Sequence, residues 1–74
     1  MDCPIYGFTD RLEEAIRESG LSASEICRRA ECSRHMLWQW RNYGYVPRLK
    51  SLMRLAIVLN VSIDWLVGLK NEKQ

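Results

Sequence analysis

The sequence predicts an all-α fold, a compact domain of five short helices, and three observations support this prediction. Apolar residues recur at helical spacing, and the strict alternation typical of strands is absent. Serines stand where helices should begin, and Gly or Asn where they should end. A chain of 74 residues is long enough for one domain. We therefore expect a single domain over residues 1–74, with a core at about 8–68, a flexible arm at 1–7 and a frayed tail at 69–74.

The first two helices are predicted from their apolar stripes and their end residues. The first covers about residues 9–19, and Gly20 suits the left-handed residue that ends it. Ser22 begins a capping box, in which its hydroxyl accepts the Glu25 amide and Glu25 reaches back. This second helix ends near Ala30. The inward-facing residues of the two helices are Phe8, Leu12, Ala15, Ile16, Ile26, Cys27 and Ala30.

Three further helices follow the same rules. Ser33 is a natural N-cap for a third helix that runs to residue 41 or 42. Pro47 fits the first turn of a fourth helix, because its missing N–H costs nothing there. Asn60 can close that helix, and Ser62 caps a short fifth one.

The third helix has two distinct faces. With Leu37 and Trp40 turned inward at about 100° per residue, the outer row consists of His35, Trp38, Gln39 and Asn42, with Arg34 at its edge. A buried stripe beneath hydrogen-bonding side chains suits a helix that lies in a DNA major groove. Arg can bind guanine and Gln can bind adenine in bidentate fashion. Arg34, Gln39 and His35 are therefore candidates for base reading.

Charge is unevenly distributed along the chain. Residues 1–31 carry seven acidic and four basic side chains, whereas residues 32–63 carry five basic and no acidic ones. Such a basic half is the electrostatic signature of a protein that binds a polyanion. An ordinary solvated basic face is the alternative. At the start of the fourth helix, Arg48 and Lys50 stand where backbone amides also favour a phosphate.

Several classes of protein are disfavoured. The single histidine, with no Gly-rich phosphate loop and no carboxylate pair placed beside a nucleophile, argues against an enzyme, and we expect no cofactor and no small-molecule ligand. The sequence shows neither a membrane-spanning run nor a signal peptide, so we expect a soluble, cytoplasmic protein. Three cysteines do not suggest a disulfide framework. Cys27 and Cys32 are interpreted as small buried thiols; zinc ligands, together with His35, are the less favoured alternative.

The chain resembles the lambda-repressor-like helix-turn-helix family, also called Cro/C1-type or XRE-type regulators, over roughly residues 8–68. The resemblance rests on residues in register rather than on one motif. They are Arg11-Leu12, Gly20-Leu21-Ser22 with Glu25, Cys27, Ser33, Leu37, Trp40, Pro47, the L-x-x-L-x-x-L-A series from Leu49 to Ala56, and the final N-V-S-I-D-W-L-V-G.

The resemblance implies a transcriptional regulator that binds double-stranded DNA sequence-specifically, as a homodimer on a near-palindromic operator. The second helix then crosses the backbone, and the third lies in the major groove. The implied base-reading residues are Arg34, His35, Trp38 and Gln39. The implied phosphate contacts are Ser22, Ser24, Ser33, Asn42, Tyr43, Tyr45, Arg48 and Lys50. The implied dimer surface is Ile57, Val58, Trp65 and Leu69, although scattered exposed apolar residues are also normal. Inward packing with Ile63 and Leu66 is the alternative for Trp65.

Several residues depart from the family pattern. Glu31 replaces the usual turn Gly, Ala23 replaces a Gln that clamps a phosphate in relatives, and Arg41 and Lys50 replace acidic residues, which adds positive charge. The outward Trp38 either contacts a thymine methyl, sugar or phosphate, or folds onto Met36, Tyr43 or a partner protein. A second hypothesis is accordingly a protein-interaction module on the same fold, which binds a regulatory partner protein through Trp38 and the Tyr43–Tyr45 loop.

Overall fold

The computed structural model describes residues 7–43 and 45–73. Within them the chain forms five helices and no strand, which confirms the predicted all-α class. The helices are α1 (Phe8–Ser19), α2 (Ala23–Ala30), α3 (Arg34–Asn42), α4 (Leu49–Leu59) and α5 (Ile63–Leu66). In this described part, no helix is long and apolar enough to cross a membrane. Apart from Gly7, the predicted arm lies outside the described residues, as do Cys3 and Gly44.

One core joins all five helices. α2 packs against α3 and α4, while α1 contacts α3, α4 and α5. The largest fully buried side chains are Phe8, Leu12, Ile26, Leu37, Leu55 and Leu66. Because every helix contributes at least one of them, the removal of this apolar surface from water fixes the position of each helix against the others.

Serine hydroxyls cap three of the helices as the sequence predicts. Ser22 accepts the Glu25 amide at 3.1 Å, Ser33 accepts the Met36 amide at 3.0 Å, and Ser62 does the same at the start of α5. The predicted capping box is only half formed, because the Glu25 carboxylate accepts hydrogen bonds from Arg28 and Arg29 instead of reaching back. The hydrogen bond from Arg28 has the largest effect on the pKa of Glu25, and it and the bond from Arg29 both lower that pKa.

The start of α4 differs from the prediction. Arg48 is the N-cap, with φ −61° and ψ 158°, and the helix begins at Leu49. Pro47 therefore precedes the cap and is not in the first turn. The fixed φ of proline suits both positions, so composition alone could not choose between them.

The turn between α2 and α3 depends on Glu31. This residue is in the left-handed conformation, with φ 58° and ψ 44°, and its amide donates to the Cys27 carbonyl. Its carboxylate lies 3.5 Å from the Arg54 guanidinium of α4. A left-handed conformation is costly for a residue with a Cβ, by about 1–2 kcal/mol. The turn thus stores local strain that a glycine would relieve.

The C-terminal segment makes specific contacts within the described residues 69–73, which the sequence did not predict. The Lys73 carbonyl accepts the Ser62 amide at 2.6 Å. The Lys73 ammonium lies 2.6 Å from Glu14 and 2.6 Å from Glu18 of α1, and 5.4 Å from the centre of the Trp65 ring. The segment therefore ties α5 to α1. These partners are far away in sequence, which is why local composition suggested a loose end.

We expect Glu31→Gly to stabilise the protein relative to Glu31→Ala by about 1 kcal/mol, because both variants lose the contact with Arg54 but only glycine relieves the left-handed strain. Urea unfolding followed by tryptophan fluorescence measures the difference. Equal stability of the two variants would show that the turn is unstrained.

The ion pairs of Lys73 with Glu14 and Glu18 should make the free energy of unfolding depend on pH in the acidic range. The hydrogen bond from Lys73 to Glu14 lowers the pKa of that carboxyl. The unfolded chain thus binds more protons, so the contribution is complete above the ordinary carboxyl pKa and is lost as pH falls through the lowered value. Lys73→Met should therefore lose less of its free energy of unfolding between about pH 6 and about pH 3 than the wild type does. Lys50→Met serves as a control for the loss of one positive charge. Urea unfolding at each pH measures the effect, and identical pH dependence in Lys73→Met and wild type would contradict it.

Candidate nucleic-acid interface

Two buried side chains set the orientation of α3. Leu37 is 2% exposed and Trp40 is 6% exposed, so both lie in the core. The opposite side of the helix leaves Arg34, His35 and Trp38 exposed, while Gln39 is half-buried at the margin. The structure therefore brings the predicted base-reading residues onto one outward surface, with Gln39 the least accessible of them.

Arg34 links the two helices of the helix-turn-helix unit. Its guanidinium Nη1 donates to the Ser24 hydroxyl in the first turn of α2 at 2.8 Å. Because guanidinium carries five N–H donors, this bond orients the group and leaves others for a ligand. Beside it, a groove of about 510 Å³ opens between α3 and the facing α1 and α2, lined in part by Glu13, Ala23 and Trp38.

Arg41, one of the basic residues that replace acidic ones in the family pattern, is paired with Glu13 of α1. Its guanidinium donates to both carboxylate oxygens of Glu13, at 2.7 and 2.9 Å, and the two side chains are partly buried. The hydrogen bonds raise the pKa of Arg41. The sequence could not show this pairing, because 28 positions separate the partners.

The positive charge that remains is concentrated at two helix starts. Of the basic residues in 32–63, Arg41 and Arg54 face carboxylates. Within residues 7–43 and 45–73, no carboxylate pairs with Arg34, Arg48 or Lys50. These three are all exposed, one at the start of α3 and two at the start of α4.

The N-terminus of α4 differs from those of α2, α3 and α5, which carry serine caps. No side chain caps the first turn of α4, where Arg48 occupies the N-cap position. Its first backbone amides are therefore left without an intrahelical or side-chain acceptor, which is the arrangement that suits an anion.

Four aromatic rings form a continuous exposed row, which we call the aromatic strip: His35, Trp38, Tyr43 and Tyr45. His35 stacks on Trp38 with ring centres 6.3 Å apart, Tyr43 meets Trp38 edge-on at 5.0 Å, and Tyr45 meets Tyr43 at 5.6 Å. Trp38 is 47% exposed and both tyrosines are 58% exposed. The Trp38 indole contacts Tyr43 and still has an exposed surface, so contact with DNA and contact with a protein both remain predictions.

The end of α3 supports the aromatic strip. The Asn42 side-chain amide donates to the Trp38 carbonyl at 2.8 Å, and the Tyr43 amide donates to the Gln39 carbonyl at 2.9 Å. These two hydrogen bonds satisfy backbone carbonyls in the last turn of α3, from which Trp38 and Tyr43 project. The sequence placed these residues near one another but did not show that their rings touch.

The two described cysteines lie together beside the turn. Cys27 is buried and Cys32 is half-buried, and both are free thiols. Burial, with a hydrogen bond to Cys27, raises the pKa of Cys32 to about 11. A zinc ligand must be a thiolate, and within the described residues no group of three or more His, Cys, Asp or Glu side chains is arranged to hold a metal.

The apolar surface predicted for α4 and α5 is only partly present. Ile57 and Leu69 are each 77% exposed, whereas Val58 is half-buried against the core. Trp65 is 5% exposed, so its assignment to an exposed surface is wrong. It faces inward because α5 packs against α1 and α4, and Lys73 covers its ring. Sequence reasoning missed Met53, which is exposed and lines an apolar groove of about 470 Å³ beside Ile57.

The fold and this surface define a helix-turn-helix DNA-binding domain. Residues 7–74 match the family model for the bacteriophage CI repressor helix-turn-helix domain. The chain belongs to this family, which confirms the resemblance seen in the sequence, and it is a DNA-binding regulator. The family is one of DNA-binding repressor domains and not of enzymes. No curated protein and no solved structure matches the chain significantly.

Proposed function

We propose that the protein acts in the cytoplasm as a sequence-specific regulator, binding a near-palindromic operator as a homodimer with α3 in the major groove. The observation that carries this proposal is the outward face of α3. It presents hydrogen-bonding and aromatic side chains beside Arg34, a cation that no carboxylate neutralises within the described residues. A helix of this kind fits the width of the major groove and its pattern of donors and acceptors.

Base reading is assigned to the exposed part of α3. The Arg34 guanidinium is oriented by Ser24 and matches the two acceptors of guanine in the major groove. Gln39, half-buried, is suited to a neighbouring adenine. His35 and Trp38 stack on each other and extend the same surface.

Phosphate contacts are assigned to groups around that surface. Ser22 and Ser33 each use a lone pair to cap a helix, and each hydroxyl hydrogen is left to donate. Arg48 and Lys50 stand at the uncapped start of α4, where the helix dipole adds to their charge. The remaining proposed phosphate contacts are Ser24, Asn42, Tyr43 and Tyr45.

Dimerisation is assigned to the exposed apolar residues of α4 and the segment after α5. Ile57 and Leu69 are the most exposed large apolar side chains, and Met53 extends the surface along the groove beside Ile57. Val58 contributes its exposed edge. We expect a dimer formed through this patch to bind half-sites about 34–36 Å apart.

A second candidate function is a contact with a regulatory protein partner through Trp38 and the Tyr43–Tyr45 loop. The exposure of three large aromatic residues supports it, because such residues are enriched in protein interfaces. Salt dependence separates the two candidates. DNA binding weakens steeply as salt rises, whereas an apolar protein interface does not.

Selection of bound duplexes from random oligonucleotides tests the proposal. We expect a sequence with two symmetric half-sites about 10 base pairs apart. Arg34→Ala should lose about 1–3 kcal/mol of binding free energy and relax selectivity at one position in each half-site. Arg34→Lys is the matched control; it keeps the charge but not the bidentate fork, so it should restore affinity more than selectivity. A single unpaired half-site would refute the homodimer, and no enriched sequence would refute specific binding.

Arg48 should contribute affinity without selectivity. Arg48→Ala removes one phosphate contact, so it should weaken binding to all sequences alike and reduce the slope of log affinity against log salt by about one. Arg17→Ala removes an exposed positive charge from α1 and should leave the slope unchanged. Fluorescence anisotropy titrations at four salt concentrations measure the slopes. The assignment fails if the two variants show equal slopes.

A further inference from the structure

The aromatic strip lies on the surface that also carries the unneutralised cations. Trp38 follows Arg34 by four residues on α3, so the two share one helix face. Tyr45 lies just before Arg48 and Lys50 at the start of α4. Residues 32–63 contain no acidic residue at all. Glu13 of α1 lines the groove beside Trp38, but its carboxylate is paired with Arg41. A partner that carries negative charge beside an apolar group therefore suits this surface.

Duplex DNA offers such a combination in the major groove. Its phosphates line both edges, and the C5-methyl group of thymine is the apolar group that the floor of the groove presents. An exposed indole can cover that methyl group, whereas the nearby guanidinium can pair with a guanine. The surface thus has separate groups for hydrogen-bonding and for apolar readout.

The rings of the aromatic strip pack on one another in the absence of a ligand. Trp38 is held between His35 on one side and Tyr43 on the other, and Tyr45 in turn packs on Tyr43. A side chain ordered in advance loses little rotamer freedom on binding. This arrangement favours a defined contact over an adaptable, loosely packed one.

We propose that Trp38, at the centre of the aromatic strip, reads the C5-methyl group of a thymine in each half-site of the operator. The proposal rests on the proposed function and names the chemistry that Trp38 recognises within it. Four residues of helix advance about 6 Å, and successive base pairs are about 3.4 Å apart. With α3 lying along the groove, we expect the thymine read by Trp38 one or two base pairs from the base that Arg34 contacts.

Replacement of thymine by deoxyuridine tests the proposal, because it removes only the methyl group. In the selected operator, each thymine is replaced in turn and the dissociation constant is measured by fluorescence anisotropy at fixed salt. Loss of one buried methyl contact corresponds to about a fourfold weaker affinity. We expect this loss at one position per half-site for the wild-type protein, and less than about a twofold change at the same position for Trp38→Ala.

Two further variants keep the result interpretable. Gln39→Ala retains the aromatic strip, so it should weaken binding overall and still show the fourfold loss on removal of the methyl. Trp38→Gln keeps a long side chain in case Trp38→Ala folds poorly, and it should behave as Trp38→Ala does. Circular dichroism melting checks that each variant is folded.

The outcomes separate this inference from the proposed function. If an operator is selected but no thymine is sensitive to loss of its methyl group, or Trp38→Ala shows the same sensitivity as wild type, the methyl-reading role is wrong while specific binding stands. If Trp38→Ala also leaves DNA affinity unchanged, the strip contacts another partner, such as a protein. If no sequence is selected at all, both proposals fall.

Discussion

The burial of Leu37 and Trp40 in the core is the constraint on which the rest of the structure depends. These two side chains fix the rotation of α3 about its own axis, since any other rotation would expose them to water. Truncation of either would cost about 2–5 kcal/mol, a large part of the stability of a small domain. The exposure of Arg34, His35 and Trp38 follows from that rotation and not from any property of their own. Bonds at both ends reinforce it, with Ser33 capping the first turn and Arg41 held by Glu13.

Internal ion pairs determine how much of the sequence's charge reaches the outward surface. The excess of basic residues in 32–63 is real, but pairing with Glu13 and Glu31 engages two of the five. The other three basic residues, Arg34, Arg48 and Lys50, lie at the starts of α3 and α4. A basic half of a sequence is therefore a weaker guide to a binding surface than the subset of cations that folding leaves without carboxylates.

Sequence reasoning succeeded for much of the local structure. The Ser22, Ser33 and Ser62 caps and the helical stripes depend on neighbours a few positions away and were predicted from them. The return contact of Glu25 and the position of Pro47 are equally local, but the structure differs from the prediction at both. Sequence reasoning also failed where distant residues meet. The burial of Trp65, the return of Lys73 to α1 and the pairing of Arg41 all require the helices to be placed first. The candidate interface shows the same contrast. Helical spacing predicted which side chains of α3 face outward, but it did not predict the ring contacts between them.

Two of the positions that depart from the family pattern, Glu31 and Trp38, bear on how α3 is placed and what it exposes. The left-handed conformation of Glu31 is strained, but it forms the turn that packs α3 against α2. In this packing Arg34 donates to Ser24. The Trp38 indole contacts His35 and Tyr43 on the exposed face of α3. Arg34 on the same face is long and exposed, whereas Gln39 is shorter and half-buried. In the proposed complex with DNA, the bulky indole therefore favours base contacts from Arg34 over contacts from Gln39, so the family's base contacts are not transferred to this chain position by position.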